Sequence, residues 1–369
     1  MRNRSGQDAD RVSNLPPNVL QAVLMLLPIK DAVRTSILSS NWRYTWTAIP
    51  HLVFNGDCAP PSSYHSDLDH LRRVNIVDQV LLHHQGPIHK FELNRFLRFC
   101  PDVDRWILFL SNRGIQQLRL ISWDGRLHKP SSRLFSCQHL RSLILVGFVI
   151  EPPPNISPLA NLKTLVLCRL TITDVSLKRL LSACQFLQEL ELISFNGLSQ
   201  IEILAQKLKR IRLRGSFQGL LLDTPLLAFA IIDTESLTDG VDEEGNGQMG
   251  ESGICNLIKV LGGLRCIQKL KVRGHFLQSN AEETFDPHEF AWEAPGFKLN
   301  CLHSVDMGDI MGGKNELDLL EFVLANAPIL DTMTVRIRCD IDDEAAFLRK
   351  LIRFRRASTQ ASIICLYYD

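Results

Sequence analysis

At 369 residues, with 45% hydrophobic and 22% charged composition, the chain has the make-up of a globular protein with room for a few domains, or for one small domain and a repeat array. A formal net charge of +1 excludes a global pull toward nucleic acid or membrane surfaces and leaves only local patches. Ten cysteines, none in a C-x-x-C pair, argue against a zinc ribbon. No apolar signal core and no run near about 18 apolar residues predict a chain neither secreted nor membrane-spanning, with reduced thiols, in cytoplasm and/or nucleus.

The first ordered pattern lies between Asn14 and Pro50. Pro16 and Pro17 sit where a first helical turn tolerates them, since its earliest amides have no intrahelical partner. Val19, Leu20, Val23, Leu24 and Leu27 follow at three-and-four spacing, which predicts a helix with one apolar face, and Pro28 ends it. A second short helix is expected from Asp31, with Ala32, Val33 and Ile37 leading to Leu38. Ser39 and Ser40 offer hydroxyl caps for a third, which would carry Trp42 and Trp46 on one face. Three helices this short cannot cover so much apolar side chain, because segments below about 40 residues rarely fold alone. Part of the face is expected to meet another chain.

The run Leu15-Pro16, Val19-Leu20, Leu27-Pro28, Asp31-Ala32-Val33, Leu38-Ser39 and Trp42-Arg43-x-x-Trp46 resembles an F-box with no gap. That resemblance implies docking onto a Skp-type adaptor and, through it, a cullin-based ubiquitin ligase. It assigns the adaptor contact to Leu15, Pro16, Leu20, Leu27, Pro28, Val33, Leu38, Trp42 and Trp46.

Residues 56–66 are rich in breakers and read as an exposed connection. Leu68, Leu71, Val74, Val77, Val80 and Leu81 then predict an amphipathic helix over residues 67–85. From Ile88 onward the phrase apolar-x-x-apolar-x-apolar recurs ten times, opening at Ile88, Ile115, Leu140, Leu162, Leu187, Leu208, Leu226, Ile267, Leu302 and Leu330. The first seven middle anchors, Phe91, Leu118, Leu143, Leu165, Leu190, Ile211 and Phe229, stand 18 to 27 residues apart, the spacing of leucine-rich repeats. Each phrase predicts one short parallel strand, with its second and third anchors turned into a shared core and the residues between them outward, onto a concave surface. The helix at 67–85 would cover one end of the array; a helix over 344–354 and a last strand over 362–367 would cover the other. Residues 239–253, acidic and glycine-rich, read as a loop.

Beyond about Ala294 a second resemblance appears, carried by Leu302-x-Ser304-Val305, Asn315-Glu316-Leu317, a helix at Leu319 to Leu324, Asn326-Ala327-Pro328-x-Leu330, Met333-Thr334 and Arg356-Ala357-Ser358. These resemble the FBD region that closes many plant F-box proteins with leucine-rich repeats. The whole chain is thus similar to one plant family in the order F-box, repeats, FBD. The implied fold class is α/β, a small three-helix F-box followed by an irregular leucine-rich-repeat solenoid with a parallel sheet. The expected domains are an F-box over 10–50, a linker and capping helix over 51–87, repeats over 88–293, and the FBD region with last repeats and cap over 294–369. The asparagine that often follows the third anchor in regular repeats is mostly missing, so boundaries are less sharp than the repeats themselves.

Little in the chain speaks for covalent chemistry. Gly245 to Gly250 spell G-x-G-x-x-G, but Asp242, Glu243 and Glu244 precede it where a pyrophosphate site needs a strand. His83-His84 and His288-Glu289 lack metal-ligand spacing, so neither cofactor nor metal is expected. On the predicted concave face Arg210, Arg212, Arg214 and Lys269, Lys271, Arg273 would form two basic stripes flanking an apolar one of Ala228, Ala230 and Ile232, suited to an acidic or phosphorylated peptide with an apolar side chain. The expected function is a non-catalytic substrate-recognition adaptor of a Skp/cullin/F-box ubiquitin ligase, with a protein target and no membrane partner. The alternatives are a repeat-based binding module without ligase coupling, or a nucleic-acid binder using the basic stripes.

Overall fold

The computed structural model describes residues 15–38, 40, 42–55, 67–94, 101–122, 127–234, 264, 266–274, 298–339, 341 and 343–368. The acidic loop over 239–253, the G-x-G-x-x-G run, His288-Glu289 and Ser39 lie outside them. Two compact units are formed, Met1–Val149 and Ile150–Asp369.

The first unit opens with helix α1 (Pro17–Leu24), which buries Leu20 and Leu24. Helix α2 (Ile29–Arg34) starts directly after Pro28, buries Ile29 and Ala32, and runs into a 3₁₀ turn at Thr35–Ile37. The expected third helix is a 3₁₀ helix at Thr45–Ala48, which carries Trp46, while Trp42 precedes it. The segment Arg43-Tyr44-Thr45-Trp46-Thr47 alternates aromatic with β-branched side chains, which lose rotamer freedom in a helix, and Pro50 forces Ile49 into extended backbone. Strand β1 (His51–Phe54), helix α3 (Asp67–His83), strand β2 (Lys90–Asn94), helix α4 (Asp102–Ser111), strand β3 (Gln117–Ile121), strand β4 (Ser142–Val146) and the two-residue β5 (Val149–Ile150) complete the unit. Strands β1 to β4 pair in parallel, so that Leu52, Phe91, Leu118 and Leu143 lie in one row and Phe54, Leu93, Leu120 and Leu145 in the next. All eight are buried. The stretch expected as linker therefore contains a strand, and Ile49-x-x-Leu52-x-Phe54 is one more copy of the repeat phrase.

The second unit holds β6 (Thr164–Ile172), α5 (Asp174–Ser182), β7 (Glu189–Asn196), β8 (Gln200–Leu204), β9 (Arg210–Arg214), β10 (Gly219–Asp223), β11 (Phe229–Thr234), β12 (Lys269–Gly274), β13 (Ser304–Ile310), α6 (Lys314–Asn326), β14 (Thr332–Arg338), α7 (Glu344–Arg353) and β15 (Ser362–Tyr368). Its main sheet runs β6-β7-β9-β11-β12-β13-β14-β15, and each adjacent pair is parallel. Strands β8 and β10 stand in the return path, where other repeats place a helix, and pair with each other.

One turn sets the phase of most repeats. The amide of the first anchor bonds the carbonyl three residues back: Leu140 to Cys137, Leu162 to Leu159, Leu187 to Cys184, Leu208 to Ala205, Leu302 to Leu299 and Leu330 to Ala327. In the repeat of β11 the residue in this turn is Leu227, bonded to Thr224, not Leu226. The expected anchors Leu226-Phe229-Ile231 are thus out by one, and Leu227, Ala230 and Ile232 are the buried set. A one-residue slip turns every side chain of a strand to its other face. The run Leu226-Leu227-Ala228-Phe229-Ala230-Ile231-Ile232 is apolar throughout and fits either phase; the turn decides.

Glu316 shows how the helical side of the array is tied down. Its carboxylate accepts the amides of Met311, Gly312 and Gly313 at 3.0, 2.7 and 2.9 Å, just ahead of α6. Burial pushes this carboxyl up from the ordinary glutamate range, against the pull of those three amides.

Candidate functional site

The N-terminal helices are fastened to the first repeat. Gln21 Nε2 donates to the Ala48 carbonyl at 2.8 Å, the amides of Gln85 and Gly86 bond Thr47, and His84 Nε2 donates to the Ile49 carbonyl at 2.8 Å. Burial lowers the affinity of His84 for a second proton. The Trp46 indole stacks at a tilt on His83 of α3, ring centroids 6.5 Å apart. Trp42 is 4% and Trp46 9% exposed, and Leu20 is buried as well. The chain itself covers these three of the residues expected at the contact.

A different set faces water. Of the residues expected at an adaptor contact, Pro16, Leu27, Pro28 and Leu38 are exposed, and Leu15 and Val33 half-buried. Beside them stand residues outside the expected contact set: Leu26 at 84% and Ile37 at 86% exposure, with Val19, Val23, Met25 and Tyr44. Val19, Val23 and Leu26 share one side of α1 and its continuation, turned away from the buried Leu20 and Leu24. The doublets Leu26-Leu27 and Ile37-Leu38, each beyond what one helical face can bury, were the signal.

On the second unit, the side of the main sheet turned from the core is a lattice of charge. Along one row lie Glu191, Arg212, Ile231, Lys271 and Asp306, and along the next Ile193, Arg214, Asp233 and Arg273. Arg210, Arg212, Arg214 and Lys269 are exposed, and Lys271 and Arg273 half-buried, all outward as expected. The apolar stripe is corrected. Ala230 and Ile232 point into the core for the phase reason given above, and Ala228 precedes the strand, its carbonyl taken by the amides of Gln268 and Lys269. Phe229 and Ile231 stand on the outer face instead, with the Arg210 guanidinium 5.8 Å from the Phe229 ring.

Loose pairs connect the charges: Arg210 to Glu189 and Arg212 to Glu191, both at 3.7 Å, Arg214 to Asp233 at 3.6 Å, and Lys271 to Asp306 at 3.3 Å. Asp306 also accepts from Arg336 at 2.9 Å. Burial resists ionisation of Asp306, but the hydrogen bonds and charge of Arg336 and Lys271 outweigh it and hold its carboxyl below the usual range. A depression of about 240 Å³ opens among Ile193, Arg212, Arg214, Ile231, Asp233, Lys271 and Arg273.

Comparison with known proteins gives both regions a context. Residues 12–52 match the F-box domain, and residues 103–286 match the family described as "FBD-associated F-box protein At5g56370, LRR repeats". The F-box/FBD/LRR-repeat protein At1g13570 of Arabidopsis thaliana is 31% identical over 98% of this chain and 99% of its own length. The chain belongs to the F-box/FBD/LRR-repeat family. From the same plant, FBD-associated F-box protein At4g10400 is 25% identical over 96% of this chain and 98% of its own, and Putative FBD-associated F-box protein At5g56440 is 34% identical over 55% and 47%.

Within this F-box/FBD/LRR-repeat chain, reactive groups are put to structural use. Burial pushes the thiols of Cys137 and Cys184 up to about 11 and about 12, which keeps them protonated at the turn that precedes an anchor. Among the described residues no group of three or more His, Cys, Asp or Glu side chains can hold a metal ion, and no helix is long and apolar enough to cross a membrane. What the two faces offer is contact: aliphatic and aromatic surface at one, a charged grid with an apolar floor at the other.

Proposed function

We propose that this F-box/FBD/LRR-repeat protein is a substrate-recognition adaptor of a Skp/cullin/F-box ubiquitin ligase, its F-box held by a Skp-type adaptor and the outer face of its β7 to β14 sheet holding the target. The observation that carries the reading is the exposure of Leu26, Ile37, Leu38 and Tyr44 in a segment whose indoles are already covered. Large apolar side chains collected on one small surface mark an interaction site. Tethering supplies the proposed catalytic contribution, since a target held beside a charged ubiquitin carrier meets it at raised effective concentration with no covalent step on this chain. Cys137, Cys184, Cys266, Cys301 and Cys365 are free thiols, in keeping with work in the cytoplasm and/or nucleus.

Co-expression with a Skp-type adaptor tests the reading. The full chain is expected to co-purify with it, and the combined Leu26→Ala, Ile37→Ala, Leu38→Ala variant to lose capture while keeping its melting temperature. Capture undiminished in that variant would remove the exposed face from the contact. Capture without cullin-dependent ubiquitination of any bound protein would favour a binding module uncoupled from the ligase.

A further inference from the structure

Around the depression between β9, β11 and β12, charge does not balance. Among the described residues, Arg212, Arg214, Lys271, Arg273 and Arg336 are set against the carboxylates Glu191, Asp233 and Asp306, so two positive charges remain within that set. Two features concentrate the excess on one side. Asp306 is shared, serving Lys271 at 3.3 Å and Arg336 at 2.9 Å with one carboxylate. Among the described residues the buried Nε of Arg273 has no hydrogen-bond acceptor.

Gly308 on β13 makes the position of Arg273 attainable. A Cβ there would stand 2.9 Å from Arg273 Cγ, so the arginine stem lies across the glycine and any larger residue would lift it. The depression is also floored by carbon, with Ile193 on one strand and Ile231 two strands away. A ligand that fits must bring close to two negative charges at one point together with apolar surface beside it. A single carboxylate carries only one. A phosphate monoester carries about −1.5 to −2 at neutral pH and presents three acceptor oxygens to guanidinium groups. A phosphodiester carries one charge per phosphate and spreads it along a backbone.

We infer that this depression is a phosphopeptide site, in which Lys271, Arg273 and Arg214 take the phosphoryl group of a phosphoserine or phosphothreonine and Ile193 and Ile231 receive a neighbouring apolar side chain. The inference rests on the reading of this face as the target-binding one. It adds that recognition requires prior phosphorylation of the target, so a kinase acts before the ligase.

The full chain, purified with a Skp-type adaptor, is tested on peptide arrays of degenerate sequence that share a central phosphoserine, serine or glutamate. Phosphoserine peptides with a large aliphatic or aromatic residue nearby are expected to be retained about tenfold or more over their serine and glutamate counterparts. Lys271→Ala and Arg273→Ala abolish the preference, Arg273→Lys keeps the charge without the fork and weakens it, and Gly308→Ala weakens it by displacing Arg273. Arg349→Ala on α7, outside the sheet face, leaves it intact. Co-purification of each variant with the adaptor shows that it is folded.

Equal retention of phosphoserine and serine peptides overturns the inference, as does an unchanged preference in the Lys271→Ala, Arg273→Ala double variant, or tighter binding of single-stranded RNA than of any phosphopeptide. Ubiquitination of cellular proteins by the wild-type complex separates the two levels of the argument. If the double variant loses that activity while serine and phosphoserine peptides bind alike, the face still reads targets and only the phosphate is wrong. If neither changes, the face is not the target site at all.

Discussion

Between Val19 and Tyr44 the molecule presents carbon to its surroundings, whereas the outer face of β7 to β14 presents ions around an apolar floor. The first stands on short helices that bury Leu20, Leu24, Ile29 and Ala32, the second on a ladder of buried strand anchors, so backbone and side chains both differ. Apolar contact is non-directional and scales with area, which suits a partner that is always the same. Charge arranged in rows adds little net affinity but selects among partners and sets register. On the proposed function, the contrast is between a surface that holds one partner and a surface that chooses among several.

The sharpest way to break this comparison is at the indoles. If Trp42 belongs to the core, Trp42→Ala leaves a cavity beside the first repeat and costs about 3–5 kcal/mol, visible as a large fall in the denaturation midpoint. An unchanged midpoint combined with lost adaptor capture would return the indoles to the docking surface and erase the distinction between covered and offered residues.

Next in size is the tie at α6. Glu316→Ala leaves three amides without their acceptor and is expected to cost about 1–3 kcal/mol. Amide hydrogen exchange at Met311, Gly312 and Gly313 should accelerate in the variant. Protection that stays as it was would mean that water or backbone takes over the role, and that the helical side of the array needs no such tie.

Smaller in stability but decisive for function are the exposed residues. Leu26→Ala and Ile37→Ala should each move stability by no more than about 0.5 kcal/mol, while weakening adaptor binding by about 1–2 kcal/mol at whichever of them sits centrally. Titration calorimetry against the purified adaptor gives the affinity, and melting curves of the same samples give the stability. Both residues silent in both readouts would leave the apolar surface without a use.

Much of this architecture is legible in the chain, and the failures have physical causes. Nine of the ten expected phrases fall on strands with their anchors inward, because leucine at fixed intervals has few other ways to be buried. Leu226 misled because its neighbours are all apolar and a period of two has no phase in such a run. Ile49-Leu52-Phe54 carries the phrase plainly, but it straddles the end of the F-box run and was read as connection. Strands β8 and β10 carry the phrase too, as Leu198-x-x-Ile201-x-Ile203 and Phe217-x-x-Leu220-x-Leu222, but these copies were not counted, and they occupy the return path where helices stand elsewhere. The indoles of Trp42 and Trp46 were rightly picked out as too large for three short helices to hide. His83 at the end of α3, more than thirty residues further on, packs against Trp46, a long-range fact that no local spacing encodes. On the charged face the alternation of outward residues was readable, whereas the sharing of one carboxylate by two cations depends on β14 lying beside β13.

That shared carboxylate supplies the finest test. Asp306 has its carboxyl held below the ordinary range by Arg336 and Lys271, so the folded protein binds its proton less readily than the unfolded chain does. Its contribution is therefore present above about pH 4, the unfolded value, and is lost as pH falls through the folded one. Wild type should lose stability on acidification across that window more steeply than Asp306→Asn, as read from urea midpoints at stepped pH. Parallel acid limbs would mean that the pair adds nothing, as is common for ion pairs near a surface. At neutral pH the same variant removes one of the three carboxylates and raises the surplus around the depression from two charges to three. If that surplus is what a phosphoryl group answers, Asp306→Asn should bind phosphoserine peptides more tightly than wild type and with steeper salt dependence, although it is the less stable protein. A variant both weaker in fold and weaker in binding would show that Asp306 positions Lys271 rather than merely neutralising it, and the chosen partner would then be selected by geometry more than by charge.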